Sequence, residues 1–123
     1  MPTTYTVTFD KDGNITSIES TSTEKYIKHA RKQDTIKFMK PANASWSTVN
    51  IVSTTSGVPH TSLFGSNPVT AGTTANPVSH TINHNGVTTV ADFEFTPVTS
   101  GAGGPDSDPG RGPPDTGTIK VGG

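Results

Sequence analysis

The chain contains no cysteine, and in 123 residues it has a single leucine, Leu63, and a single tryptophan, Trp46. Without cysteine there can be no disulfide, no thiolate nucleophile, no iron–sulfur ligation and no Cys-type zinc site. The His/Cys/His arrangement of blue copper is excluded as well. One leucine cannot furnish the apolar stripes of a helical bundle. Charge is sparse: charged residues make 15% of the chain and the formal net charge is -1. No apolar run approaches membrane-spanning length. The opening residues Met1-Pro2-Thr3-Thr4-Tyr5 have neither a basic nor an apolar region of the kind a secretion signal needs. A cytoplasmic location is the resulting expectation.

What is abundant is hydroxyl and β-branched. Thr and Ser number 34, and Val, Ile and Thr together number 39. β-branched side chains lose rotamer freedom in helices and pack well on a pleated sheet. Leu, Ile, Val and Phe total only 23, so the core must be thin. These features point to one all-β domain, residues 1–123, built as a sandwich of seven to nine short strands. The expected class is an immunoglobulin-like or cupredoxin-like Greek key.

Alternation marks the strands. Tyr5, Val7 and Phe9 alternate with Thr4, Thr6 and Thr8, the signature of a strand with one buried face. Asp10-Lys11-Asp12-Gly13-Asn14 then reads as a turn, and residues 15–20 as its returning arm. Residues 21–33 fit two descriptions, a short helix opened by a Thr21-Ser22-Thr23-Glu24 capping box or a polar strand. Residues 34–40 read as a strand with Ile36 and Phe38 inward, and residues 46–53 as another with Val49 and Ile51 inward. Residues 56–78 read as a long connection with a short edge strand near 61–64. Asn85-Gly86 is the preferred two-residue type I′ turn, which predicts a hairpin pairing His84 with Val87, Ile82 with Thr89 and His80 with Ala91. Phe93 and Phe95 continue the inner face. Residues 100–117 are rich in Gly and Pro, and are expected to loop back so that Thr118-Ile119-Lys120-Val121 adds a final strand. The predicted core is Tyr5, Val7, Phe9, Ile36, Phe38, Val49, Ile51, Ile82, Phe93, Phe95 and Ile119.

Chemistry-bearing residues are few. Trp46 stands among Asn43, Ser45, Ser47 and Asn50. An aromatic face beside amides can make a sugar platform, so Trp46, Asn43 and Asn50 are the candidate ligand-binding residues; a Trp on a sandwich strand can equally be core. His29, His60, His80 and His84 invite a metal reading. On a strand, however, His80 and His84 would stand about 13 Å apart, so no metal or other cofactor is expected. Asp92 and Glu94 share one strand face and could serve a hydrolase or lie on a solvated edge, and no catalytic residue is assigned. Asp106-Ser107-Asp108-Pro109-Gly110 has the look of a calcium loop, but the bidentate Glu such a loop needs would fall at Gly117. Residues 24–40 carry Lys25, Lys28, Arg31, Lys32, Lys37 and Lys40 against Glu24 and Asp34. Such a basic stretch suits a phosphate backbone, yet no nucleic-acid motif accompanies it; a solvated or self-associating face is the preferred reading.

The C-terminal stretch resembles the DP-EP family of small bacterial β-rich proteins. The carriers are Phe93-Glu94-Phe95-Thr96-Pro97, Asp108-Pro109 and Asp115 ahead of Thr118-Ile119-Lys120-Val121. Glu94 and Asp115 both lack the following proline. The resemblance implies a β-rich fold and no established activity. Taken together, the expectation is a non-enzymatic binding or structural module, a homodimer by its exposed sheet edges. A carbohydrate-binding domain centred on Trp46 is the alternative, with a small hydrolase or His-based metal protein behind it.

Overall fold

The computed structural model describes residues 2–19, 26–98 and 115–122. The strands are β1 Thr4–Phe9, β2 Ile15–Glu19, β3 Tyr26–Ala30, β4 Thr35–Met39, β5 Thr48–Ser53, β6 Val69–Thr70, β7 Ser79–Thr81, β8 Ala91–Pro97 and β9 Gly117–Val121, with a 3-10 turn at His60–Ser62. They form two sheets, ordered β2-β1-β4-β7 and β3-β9-β8-β5-β6. Both sheets are mixed, because β1 runs parallel to β4 and β3 parallel to β9. The architecture is an all-β, sandwich-like pair of layers.

The period-two residues face inward. Tyr5, Val7 and Phe9 of β1 and Ile36 and Phe38 of β4 are buried against Val49, Ile51, Phe93, Phe95 and Ile119 of the other sheet. Every residue of the predicted core is buried. Three rings bridge the layers: Phe38 lies 5.2 Å from Phe95, and Phe9 lies 6.2 Å from Phe95 and 6.3 Å from Phe38. Such tilted and edge-on aromatic pairs stabilise beyond their area alone. Phe95 lies across Gly117, its partner in register; a Cβ there would come within 2.1 Å of the ring.

β9 completes the five-stranded sheet from within. It pairs with β8 on one side and β3 on the other, so the last strand is central and not an appendage. At the far edge β6 is only two residues long. The Asn67 carboxamide extends the ladder there, its Oδ1 accepting from Ile51 N at 2.8 Å and its Nδ2 donating to Ile51 O at 2.9 Å.

Two local expectations are corrected. Residues 61–64 do not form an edge strand; they lie in and just after the 3-10 turn His60–Ser62, and the edge is β6. Residues 82–90 do not form a hairpin. β7 pairs with β4, and β8 pairs with β5 and β9, so this segment carries the chain from one sheet to the other. A type I′ turn needs positive φ at both central residues, and neither Asn85 nor Gly86 has it. Asn85 Oδ1 instead accepts from Val87 N at 3.0 Å, and Thr89 N donates to Asn85 O at 3.2 Å. Of the two readings of residues 21–33, the strand is found, over Tyr26–Ala30. The capping box at 21–24 and most of the 100–117 loop lie outside the described residues.

Candidate functional site: a basic cleft at the sandwich end

Trp46 belongs to the core. It is 3% exposed, stands edge-on to Phe9 at 5.3 Å, and donates its Nε1–H to Lys11 O at 3.2 Å. Its indole plugs the end of the interior beneath the β1–β2 turn, so it offers no open ring for a sugar to stack on. Asn43 and Asn50 are exposed. Asn50 lies on the outer face of β5, between buried Val49 and Ile51. The three residues therefore make no shared platform, and the Trp46-centred site is withdrawn.

The histidines are spent separately. His60 Nδ1 accepts from Ser53 N at 2.8 Å, and His80 Nε2 donates to Thr70 O at 2.7 Å. His84, 8% exposed, bonds Ser62 Oγ through Nδ1 and Thr89 O through Nε2, each at 2.7 Å. None of these bonds is to Asp92 or Glu94. Among the described residues, no group of three or more His, Asp or Glu side chains is placed to hold a metal ion. Nor is any helix long and apolar enough to cross a membrane. The Asp10 turn is held by its own chemistry: Asp10 Oδ1 accepts from Asp12 N and Asn14 N, each at 2.9 Å.

A cleft of about 510 Å³ opens where the β3–β4 turn, the 82–90 crossover and the end of β9 meet; His29, Arg31, Lys32, Asn85, Gly86, Val87 and Gly122 line it. Each wall has a local cause. β3 pairs Ile27 with Ile119 and Ala30 with Val121, so it carries one residue more than its partner. His29 takes up the excess at φ 59, a backbone region that costs a non-glycine residue energy. The following turn is tied by Asp34, which is 5% exposed. Its Oδ2 accepts from Arg31 N at 2.9 Å and its Oδ1 from Thr3 N at 2.9 Å. Gln33 N donates to Ile82 O, and Ile82 N to Asp34 O. The turn is thus clamped at its base while Arg31 and Lys32 stay exposed.

The opposite wall is the crossover, fixed by the bonds of His84 and Asn85. The floor is a backbone-on-backbone contact. A Cβ on Gly86 would meet Gly122 N at 2.6 Å, and one on Gly122 would meet Gly86 O at 2.4 Å. Gly122 N is held by Ala30 O at 2.9 Å. Val87 is 98% exposed at the rim.

The polar lining is rich in donors. Arg31 and Lys32 have donors and no acceptor. Asn85 has its Oδ1 engaged with Val87 N, and its Nδ2 is a further donor. None of the lining residues is acidic, and the one carboxylate of the turn, Asp34, is sealed behind it. Tyr5 lies behind the same turn; burial, then the Asp34 carboxylate, push its phenol above the usual value, with Arg31 acting in the opposite direction.

The sequence flags the basic half of this cleft, within residues 24–40. It hides the other half, because Asn85-Gly86 reads as a hairpin and not as a wall. Comparison with protein-family models, with curated proteins and with solved structures finds no match. Phe93-Glu94-Phe95-Thr96-Pro97 lies in β8, Thr118-Ile119-Lys120-Val121 lies in β9, and Asp115 accepts from Ile15 N at 2.8 Å.

Proposed function

We propose that this protein is a binding module whose ligand is a small, acceptor-rich anion taken into the basic cleft. The observation that carries the reading is the lining itself: Arg31, Lys32, His29 and the Asn85 amide converge on one space with no acidic residue among them. Arg supplies a planar fork for carboxylate or phosphate oxygens, and Lys a movable point charge. The cleft volume of about 510 Å³ falls in the range of metabolite-sized sites, so an organic anion fits better than a bare ion. The apolar rim at Val87 suits a ligand with a non-polar part.

The sandwich is best read as cupredoxin-like. Immunoglobulin domains are built from antiparallel sheets, and the two parallel pairs, β1–β4 and β3–β9, favour the other class. That reading concerns topology and implies no copper, since the chain has no cysteine.

Amide chemical-shift mapping tests the function. Inorganic phosphate, citrate and adenosine monophosphate are each titrated to millimolar concentration. The expected result is saturable shifts confined to residues 29–32, 85–87 and 122. They should weaken with added salt and vanish in an Arg31→Ala/Lys32→Ala double variant that keeps its fold. Shifts scattered over the surface, or none, would reject the cleft as the site.

A further inference from the structure

We infer that Ser62 is a nucleophilic serine, activated by His84, able to take an acyl or phosphonyl group from an electrophilic ester. The argument begins with a tautomer. Thr89 O can only accept a hydrogen bond, and it lies 2.7 Å from His84 Nε2, so Nε2 carries the proton. In a neutral imidazole the other nitrogen is then an acceptor. Ser62 Oγ, 2.7 Å from Nδ1, must be the donor. The serine hydroxyl therefore points its proton at a basic lone pair, while a third group orients the base on its far side. This is the general signature of an activated nucleophile, with a main-chain carbonyl in the orienting position.

The surroundings suit the role. His84 is buried and its ring stands edge-on to Phe93 at 5.5 Å, so the imidazole is held in place. Ser62 ends the exposed 3-10 turn His60–Ser62 and is only half-buried. The turn is pinned through Ser62 N to Pro59 O at 3.1 Å, and the adjacent Leu63 O accepts from Asn83 N at 2.7 Å. Nucleophile and base thus come from two segments fastened to each other, and neither residue lines the basic cleft.

With an ester, Ser62 Oγ bonds the carbonyl carbon as its proton passes to His84 Nδ1. The carbon–oxygen bond to the leaving group then breaks, and that oxygen departs with the proton. Water attacks the acyl-serine, giving its proton to Nδ1; the acid is released and the Ser62 hydroxyl restored. With a fluorophosphonate the Oγ–phosphorus bond forms as the Ser62 proton passes to His84 Nδ1 and on to water, the phosphorus–fluorine bond breaks and fluoride leaves with the electron pair. The adduct stays. Thr89 acts through its carbonyl only, as a positioning residue.

The test is labelling of the full chain with a fluorophosphonate, read by intact mass and peptide mapping. One adduct is expected, on Ser62, forming at least about 100-fold faster than on the exposed serines Ser45 and Ser47 of the same chain. That internal ratio requires no variant. Ser62→Ala should abolish the adduct, His84→Gln should slow it by about 100-fold, and Thr61→Ala should leave it unchanged. A purely bracing Ser62–His84 pair would lower the melting temperature of S62A yet leave Ser62 no more reactive than Ser45. Equal labelling of the three serines, no adduct, or an adduct indifferent to H84Q would overturn the inference.

Discussion

Two segments change the direction of this chain with similar residues and opposite results. At residues 10–14, Asp10 and Gly13 set a local turn: Asp10 Oδ1 collects two main-chain N–H groups, Asp10 N donates to Asn14 O, and Gly13 sits at φ 86. The strands on either side of it pair with each other. At residues 83–90, Asn85 and Gly86 also begin an Asx-type bend, but the strands on either side join different sheets. The first segment is shaped by its own bonds, with Trp46 and Asp115 adding one each to its main chain from outside. The second depends on Ser62, Ile82, Ala30 and Gly122 around it. A turn residue sets the local bend, and the longest apolar contacts decide where the outgoing strand goes.

If that contrast is sound, the crossover is the more fragile of the two. Gly86→Ala drives a Cβ to 2.6 Å from Gly122 N, so main chain must shift. A loss of about 3 kcal/mol is expected in urea unfolding, near the upper end for overpacking, together with loss of the cleft. Gly13→Ala, which places an alanine at φ 86, should cost about 1 kcal/mol. Equal losses would erase the distinction.

His84→Ala is expected to cost about 2 kcal/mol, since it leaves Ser62 and Thr89 O without their partner in a mostly buried place. Smaller effects come from the Asx side chains. Asp10→Ala removes three hydrogen bonds and should cost about 1 kcal/mol, whereas Asn85→Ala removes one and should cost about 0.5 kcal/mol. Thermal melts of the two variants side by side would show whether the order holds.

The smallest effect is confined to high pH. The Tyr5 phenol is raised above its usual value of 10.0, so the folded state holds this proton more tightly than the unfolded chain does. Its contribution is fully present below pH 10 and is lost as the pH rises through the raised value. The stability difference between wild type and Tyr5→Phe should be flat from pH 7 to pH 10 and turn against wild type above it. A difference that stays flat throughout would show that Tyr5 ionises without strain in the fold.

Legibility in the sequence followed chemistry that is local. The alternation in β1, β4, β5 and β8 was readable because a pleated strand sends successive side chains to opposite faces. It placed Val7, Ile36, Ile51 and Phe93 inward with no knowledge of what they would touch. Trp46 was ambiguous for the converse reason. Its polar neighbours suggest a surface, and only the gap beneath the β1–β2 turn shows that the indole is needed as a plug. Of the candidate sites, the sequence exposed the cations at Arg31 and Lys32, while Ser62 was indistinguishable from eleven other serines.

Composition and period-two patterning were sufficient to dictate layers of strands, an apolar interior between them, and the absence of thiol chemistry, since each of these depends on residue type and spacing alone. The partners of each strand, the conversion of Asn85-Gly86 from a hairpin into a crossover, the cleft over the Gly86–Gly122 contact and the meeting of Ser62 with His84 were settled in three dimensions. They depend on contacts between residues far apart in the chain, where burial and close backbone approach outweigh local turn preference.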